Sequence, residues 1–80
     1  MEKICKNEQY TYILFESMVI FPDDIGIKTV YGIKIVDGCT STMVDAISDN
    51  YSAVEKLFDL IVEGVLCPEH LVNVVEDYLS

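Results

Sequence analysis

The chain has 80 residues, of which 51% are hydrophobic and 24% charged, a composition that argues against disorder and suffices for one small domain over residues 1–80. The net charge is −9, with five lysines and no arginine, which argues against a surface that binds nucleic acid directly. The same negative field favours a basic protein partner.

The first two predicted strands form a hairpin. Residues 1–9 are polar and expected to be frayed, and residues 10–18 are rich in aromatic and β-branched side chains, which predicts strand one. Turn residues follow at 22–26. Residues 27–36 alternate between large apolar side chains and lysines, the period of a half-buried strand, which predicts strand two.

A third strand and two helices complete the predicted chain. The pair Asp37-Gly38 indicates a tight turn into a third strand over residues 39–48. Asp49 and Asn50 offer N-cap side chains for a helix over residues 51–63, with Gly64 as its C′ residue. The second helix begins at Pro68 and continues to the C-terminus on an apolar stripe of helical period.

These elements predict the fold class α+β, in two layers. A three-stranded antiparallel meander is followed by two antiparallel helices packed on one of its faces, the order β-β-β-α-α. The sequence does not decide which face of the sheet the helices cover.

Several short segments carry a family resemblance. They are Tyr31-Gly32-Ile33, Ile47-Ser48-Asp49, the run from Leu66 to Leu71, and the closing run from Val74 to Leu79. With these segments, residues 10–79 resemble a family of uncharacterised short bacterial proteins, mainly from clostridia-like Firmicutes, that is classed as a domain of unknown function. The resemblance implies no activity, cofactor or catalytic residue.

Cys67 and His70 are the strongest candidates in the sequence for a catalytic pair. A cysteine before a helix has its thiolate favoured, and a nearby histidine can act as a base, so a thiol-dependent enzyme or redox sensor is one hypothesis. The alternative is that Cys67 merely precedes an N1 proline. A further alternative is a zinc site in which Cys5 and Cys39 join Cys67 and His70 as ligands, although structural zinc sites usually show two close ligand pairs. We favour no catalytic role, no metal and no cofactor.

The strands and the last helix suggest two contact surfaces. Both faces of strand one are apolar, so we predict that the sheet face away from the helices is an interface, for which a homodimer is one hypothesis. Its residues are Tyr10, Tyr12, Leu14, Met18, Val30 and Val36. Glu76 and Asp77 lie near the negative end of the helix dipole, which suggests an acidic surface for a basic partner.

The preferred functional hypothesis is therefore a small interaction or regulatory module rather than an enzyme. The three cysteines lack paired spacing and no apolar run approaches a membrane span, so we expect a cytoplasmic protein with reduced thiols and no membrane contact.

Overall fold

The computed structural model describes residues 2–21 and 26–79. These residues form seven elements, and most of the predicted turn at residues 22–26 lies outside them. The elements are β1 (Lys3–Lys6), β2 (Thr11–Phe21), β3 (Gly26–Asp37), β4 (Thr40–Ser48), α1 (Tyr51–Glu63), a short 3-10 turn (Pro68–His70) and α2 (Leu71–Leu79).

The sheet has four strands, so the predicted three-stranded meander is wrong. All neighbours are antiparallel, and their order in the sheet, β1-β2-β3-β4, is their order in the chain. The added strand, β1, lies in the segment that was expected to be frayed and pairs with residues 11–14 of β2. Four residues are too few for an alternating pattern to indicate a strand by itself.

Contacts between the Lys3 side chain and α1 add to the pairing of β1 with β2. The Lys3 ammonium donates to Asp59 Oδ1 at 3.0 Å, lies 3.7 Å from Glu55 Oε2, and sits 5.7 Å from the centre of the Phe58 ring. The hydrogen bond to Asp59, above all, raises the pKa of Lys3. These contacts link the first strand to the first helix across the sheet's covered face, a relation that no local sequence pattern contains.

The two helices cover one face of the sheet and form the core with it. The register pairs Tyr12 with Ile35 and Leu14 with Ile33, and all four side chains are fully buried under the helices. Helix α1 lies over β2, β3 and β4, and α2 lies beside β4. The helical side chains in the core are Val54, Leu57, Phe58, Ile61, Leu71 and Val75.

Strands β2 and β3 extend beyond their neighbours as a two-stranded arm. Strand β1 reaches only Leu14 of β2, and β4 reaches only Tyr31 of β3. We call residues 17–21 and 26–30 the arm. It contributes to an elongated shape, with principal extents of 43 × 26 × 19 Å. At the base of the arm, Ser17 Oγ donates to Asp45 Oδ1 at 3.0 Å. Lys28 Nζ lies 2.8 Å from Asp49 Oδ2.

A bulge in β4 lies opposite Gly32. The pairing shifts between Tyr31↔Ser48 and Ile33↔Val44, so that extra residues of β4 face a single residue of β3. Ala46, inside the bulge, has a φ of 53°. A Cβ built on Gly32 would lie 2.6 Å from the Val44 carbonyl oxygen and 2.6 Å from Cζ of Phe15. The bulge and the Phe15 ring therefore both occupy the space that a side chain at position 32 needs.

Helix α1 confirms the predicted bounds Tyr51–Glu63, and Asn50 is its N-cap because its side chain accepts from Ala53 N at 3.3 Å. The predicted C′ residue of α1, Gly64, is wrong by one position. Gly64 keeps a helical φ of −83°, and Val65 takes the left-handed conformation with φ 49°. The amides of Val65 and Leu66 donate to Val62 O and Ile61 O, the two hydrogen bonds of a Schellman motif.

Replacing Val65 by glycine is expected to stabilise the protein. A β-branched residue in the left-handed region costs about 1–2 kcal/mol, part of which glycine regains after its own larger entropy loss. We expect Val65→Gly to raise the free energy of unfolding by about 0.5–1 kcal/mol, measured by urea denaturation. Val72→Gly, at a similarly exposed position with ordinary helical backbone in α2, should lower it by about 0.5 kcal/mol. Equal losses in both variants would contradict the assignment.

Candidate functional site

An apolar groove runs between α1 and α2. Its volume is about 430 Å³, within the size range of small-molecule sites. In the part of the chain that the structure describes, its lining is apolar apart from one carboxylate and one phenol. The lining residues are Leu57, Leu60, Ile61, Gly64, Leu66, Val74, Asp77 and Tyr78.

The period of α1 explains why this groove is apolar. Leu57 and Ile61 turn towards the sheet and are almost fully buried, so they form the floor. Leu60, three residues after Leu57 and one before Ile61, is 62% exposed and forms the rim. An apolar side chain so exposed, next to a concave apolar surface, is typical of a contact site. Leu60 was not singled out in the sequence, although its place beside the apolar stripe of α1 is the signal that could have identified it.

The far wall of the groove comes from α2. Tyr78 is 41% exposed, and its hydroxyl donates to Ala53 O of α1 at 3.1 Å. This bond joins the end of α2 to the beginning of α1, so the two helices run antiparallel, as predicted. The hydrogen bond from Tyr78 to Ala53 bridges the two helices at one end of the groove, and a short connection joins them at the other end. Both ends of the groove are therefore fixed.

The surroundings of the groove are acidic. Between residues 51 and 79 the sequence has six carboxylate side chains and one lysine. Of the two predicted acidic partner residues, the structure places Asp77 in the groove wall and Glu76 exposed beside it on α2. By contrast, the strand register places Lys6 and Lys34 on the sheet face away from the helices. Lys3 lies on the helix side and pairs with Asp59 and Glu55, yet the carboxylates between residues 51 and 79 still outnumber the lysines there, so the side that carries the groove has a negative net charge.

The six predicted interface residues do not share one exposed face. Tyr12 and Leu14 are fully buried beneath the helices, and Tyr10 packs against the same core. Met18 is 70% exposed but lies on the arm, on the side of the sheet that carries the helices. Only Val30, which is 8% exposed, and Val36, which is half-buried, point to the opposite face. The face assignment was wrong for Tyr12 and Leu14 because it depends on which side the helices cover.

A comparison with known protein families identifies the family of this chain. A family model described as "Family of unknown function (DUF6514)" matches residues 1–80, the whole of the chain. The chain belongs to DUF6514. The resemblance to a family of unknown function is thus confirmed, and it extends over the residues before Tyr10 as well. Neither curated proteins nor solved structures give a match.

The Cys67-His70 pair of this DUF6514 member does not form a thiol–imidazole contact. The contact between the two residues is a backbone hydrogen bond, from His70 N to Cys67 O at 3.1 Å. Cys67 Sγ instead accepts from the Tyr10 hydroxyl at 3.6 Å. That bond, followed by burial, raises the pKa of Tyr10 to about 12. The segment after Cys67 is a 3-10 turn of three residues, so α2 begins only at Leu71, later than predicted.

The zinc alternative finds no geometric support in this DUF6514 structure. Residues 2–21 and 26–79 contain no group of three or more His, Cys, Asp or Glu side chains placed to hold a metal ion. Cys5, Cys39 and Cys67 are free thiols. Within the same described residues, neither helix has the length and apolar character that crossing a bilayer requires.

Proposed function

We propose that this DUF6514 member is a non-catalytic interaction module of the cytoplasm that binds a basic, amphipathic segment of a partner protein in the groove between α1 and α2. The observation that carries the proposal is an exposed apolar rim, at Leu60 and Tyr78, above an apolar floor. Such a groove suits the apolar face of a helix, whose anchors recur at i, i+3 or i+4, and i+7.

Charge supports a basic partner rather than an acidic one or a nucleic acid. Asp77 lines the groove and the two helices carry a large excess of carboxylates. A segment with lysine or arginine beside its apolar anchors would be steered to this side, and its cations would lie next to the rim. The free state of all three thiols agrees with a reducing compartment.

The test uses a synthetic helix with leucines at i, i+3 and i+7 and lysines elsewhere, followed by fluorescence anisotropy. We expect Leu60→Lys to weaken binding about tenfold, because it places an ammonium on the apolar contact. Val72→Lys is the matched control: Val72 is 45% exposed on α2 but does not line the groove, so binding should change less than about twofold.

Salt and sequence controls separate specific binding from attraction to an acidic protein. We expect Asp77→Asn to reduce the salt dependence of binding, whereas Glu69→Gln, outside the groove, should leave it nearly unchanged. A scrambled peptide of the same composition should bind weakly. Equal losses for Leu60→Lys and Val72→Lys, or equal affinity for the scrambled peptide, would refute the groove as the binding site.

A further inference from the structure

One row of side chains crosses the sheet on the face that the helices leave uncovered. The register places Ile4 opposite Ile13, Ile13 opposite Lys34, and Lys34 opposite Met43, so each strand contributes one residue. We call these four residues the open row. Ile13 follows Tyr12, which is buried under the helices, so the open row points away from them. Its end residues, Ile4 and Met43, are 56% and 54% exposed, which is typical of a contact surface.

Further apolar side chains lie on both sides of Lys34 along the strands. Cζ of Phe15 lies 2.6 Å from the position that a Cβ of Gly32 would take, so the Phe15 ring lies over β3 next to Lys34. Val36, two residues after Lys34 on the same face, is half-buried. The Lys34 ammonium is therefore carried on a side chain that apolar residues surround in the plane of the sheet.

The cations of this face are available to a ligand. Lys34 is half-buried, and Lys6 lies on the same face of β1. Within the residues that the structure describes, neither lysine forms an ion pair. Asp45 also lies on this face, at the base of the arm, where it accepts the hydrogen bond from Ser17 Oγ. An ammonium among apolar side chains is complementary to a carboxylate that arrives with apolar neighbours of its own.

We propose that the open row binds an acidic, amphipathic segment of a second partner protein, with a carboxylate on Lys34 and apolar side chains on Ile13 and Met43. Neighbouring strands lie about 4.8 Å apart, so Ile13 and Met43 stand about 10 Å apart on either side of Lys34. A helix matches this spacing with apolar residues at i and i+7, about 10.5 Å apart, and a carboxylate between them at i+3 or i+4.

The second surface gives the molecule two sides with opposite preferences. The groove between α1 and α2 lies on one side of the sheet, among carboxylates, and the open row lies on the other side with Lys6 and Lys34. A basic segment and an acidic segment can therefore be bound at the same time, which makes the protein a bridge between two partners.

Charge favours a protein segment over a second copy, a membrane or a nucleic acid. Two copies packed on this face around a twofold axis would bring both Lys34 ammonium groups onto one apolar patch, where they repel. An extended anionic surface meets the whole chain, whose net charge is −9. A short segment meets mainly the local cations, because exposed charges more than about 8 Å away are largely screened at physiological salt.

The test uses a labelled synthetic helix with leucines at i and i+7, glutamates at i+3 and i+4, and glutamines elsewhere, followed by fluorescence anisotropy. We expect Lys34→Glu to weaken binding at least about tenfold, because a like charge then faces the glutamates. Lys56→Glu is the matched control: it changes the net charge equally at an exposed position of α1, so binding should change less than about twofold. Lys34→Met, which keeps an apolar stem, should remove most of the salt dependence of binding.

Cross-controls separate this surface from the groove. Leu60→Lys, which is expected to weaken binding of the basic helix, should change the affinity for the acidic helix less than about twofold. Equal losses for Lys34→Glu and Lys56→Glu, or equal affinity for a peptide with glutamine in place of both glutamates, would overturn the proposal. A dimer that Lys34→Glu dissociates in light scattering would overturn it in favour of a second copy. Binding to phosphatidylserine vesicles that Lys34→Glu abolishes would overturn it in favour of a membrane.

Discussion

Phe58→Ala is expected to remove most of the stability of this domain. The Phe58 side chain is fully buried, packs between α1 and the sheet, and supports the Lys3 ammonium of β1. Truncating a buried phenylalanine costs about 3–5 kcal/mol, and a domain of this length has about 4–12 kcal/mol in total. Urea denaturation should show a midpoint shifted to much lower denaturant, with β1 weakened as well.

Leu60→Ala is the control for Phe58→Ala on the same helix. Leu60 is 62% exposed and contributes to the groove rather than to the core, so the free energy of unfolding should change by less than about 0.5 kcal/mol. The pair separates the two faces of α1, because one substitution acts on folding and the other on peptide binding. Comparable losses of stability would mean that Leu60 belongs to the core and that the groove is no free surface.

Gly32→Ala is expected to destabilise the protein by about 2–3 kcal/mol, as overpacking does. The new Cβ would lie 2.6 Å from Val44 O, a backbone atom held in the β4 bulge, and 2.6 Å from the Phe15 ring. The ring can rotate away, but the carbonyl oxygen moves only if the bulge is rebuilt. Thermal or urea unfolding measures the loss.

Gly26→Ala is the matched control for Gly32→Ala. It lies on the same strand, and no atom of the residues that the structure describes lies within 4 Å of its ideal Cβ position, so its effect should stay within about 0.5 kcal/mol. Adding Phe15→Leu to Gly32→Ala should recover only part of the loss, since the Val44 contact remains. Full recovery would show that the ring alone requires glycine at position 32.

Elements stabilised by nearby residues could be predicted from the sequence. The bounds of α1 follow from Asn50 and from an apolar stripe of helical period, both of which lie within the helix or next to it. Strand β1 could not be predicted in this way, because its four residues are too few to show a pattern and its contact with α1 joins residues 56 positions apart. The end of α1 could be predicted only to within one residue. A glycine marks the helix end, but it does not decide which residue of the Schellman motif takes the positive φ.

The candidate surfaces depend on tertiary structure even more. The alternation in strand one correctly groups Tyr12 and Leu14 on one side, but only the position of the helices decides that this side is the core. Asp77 could be singled out because a charge at a helix end is visible in the sequence, and its role as a partner residue stays a prediction. Leu60 and Ile4 were not singled out, since the exposure of an apolar residue depends on where its neighbours stop.

The strand order also bears on how the chain finds its fold. Each strand pairs only with the strand that precedes or follows it in the chain, and the β3–β4 connection is a tight turn in which Gly38 has a φ of 58°. Closing such short loops costs little chain entropy, so the sheet can grow by successive hairpins. Helix α1 packs onto β2 and β3 as well as β4, so its docking closes longer loops than any of the hairpins does and costs more chain entropy.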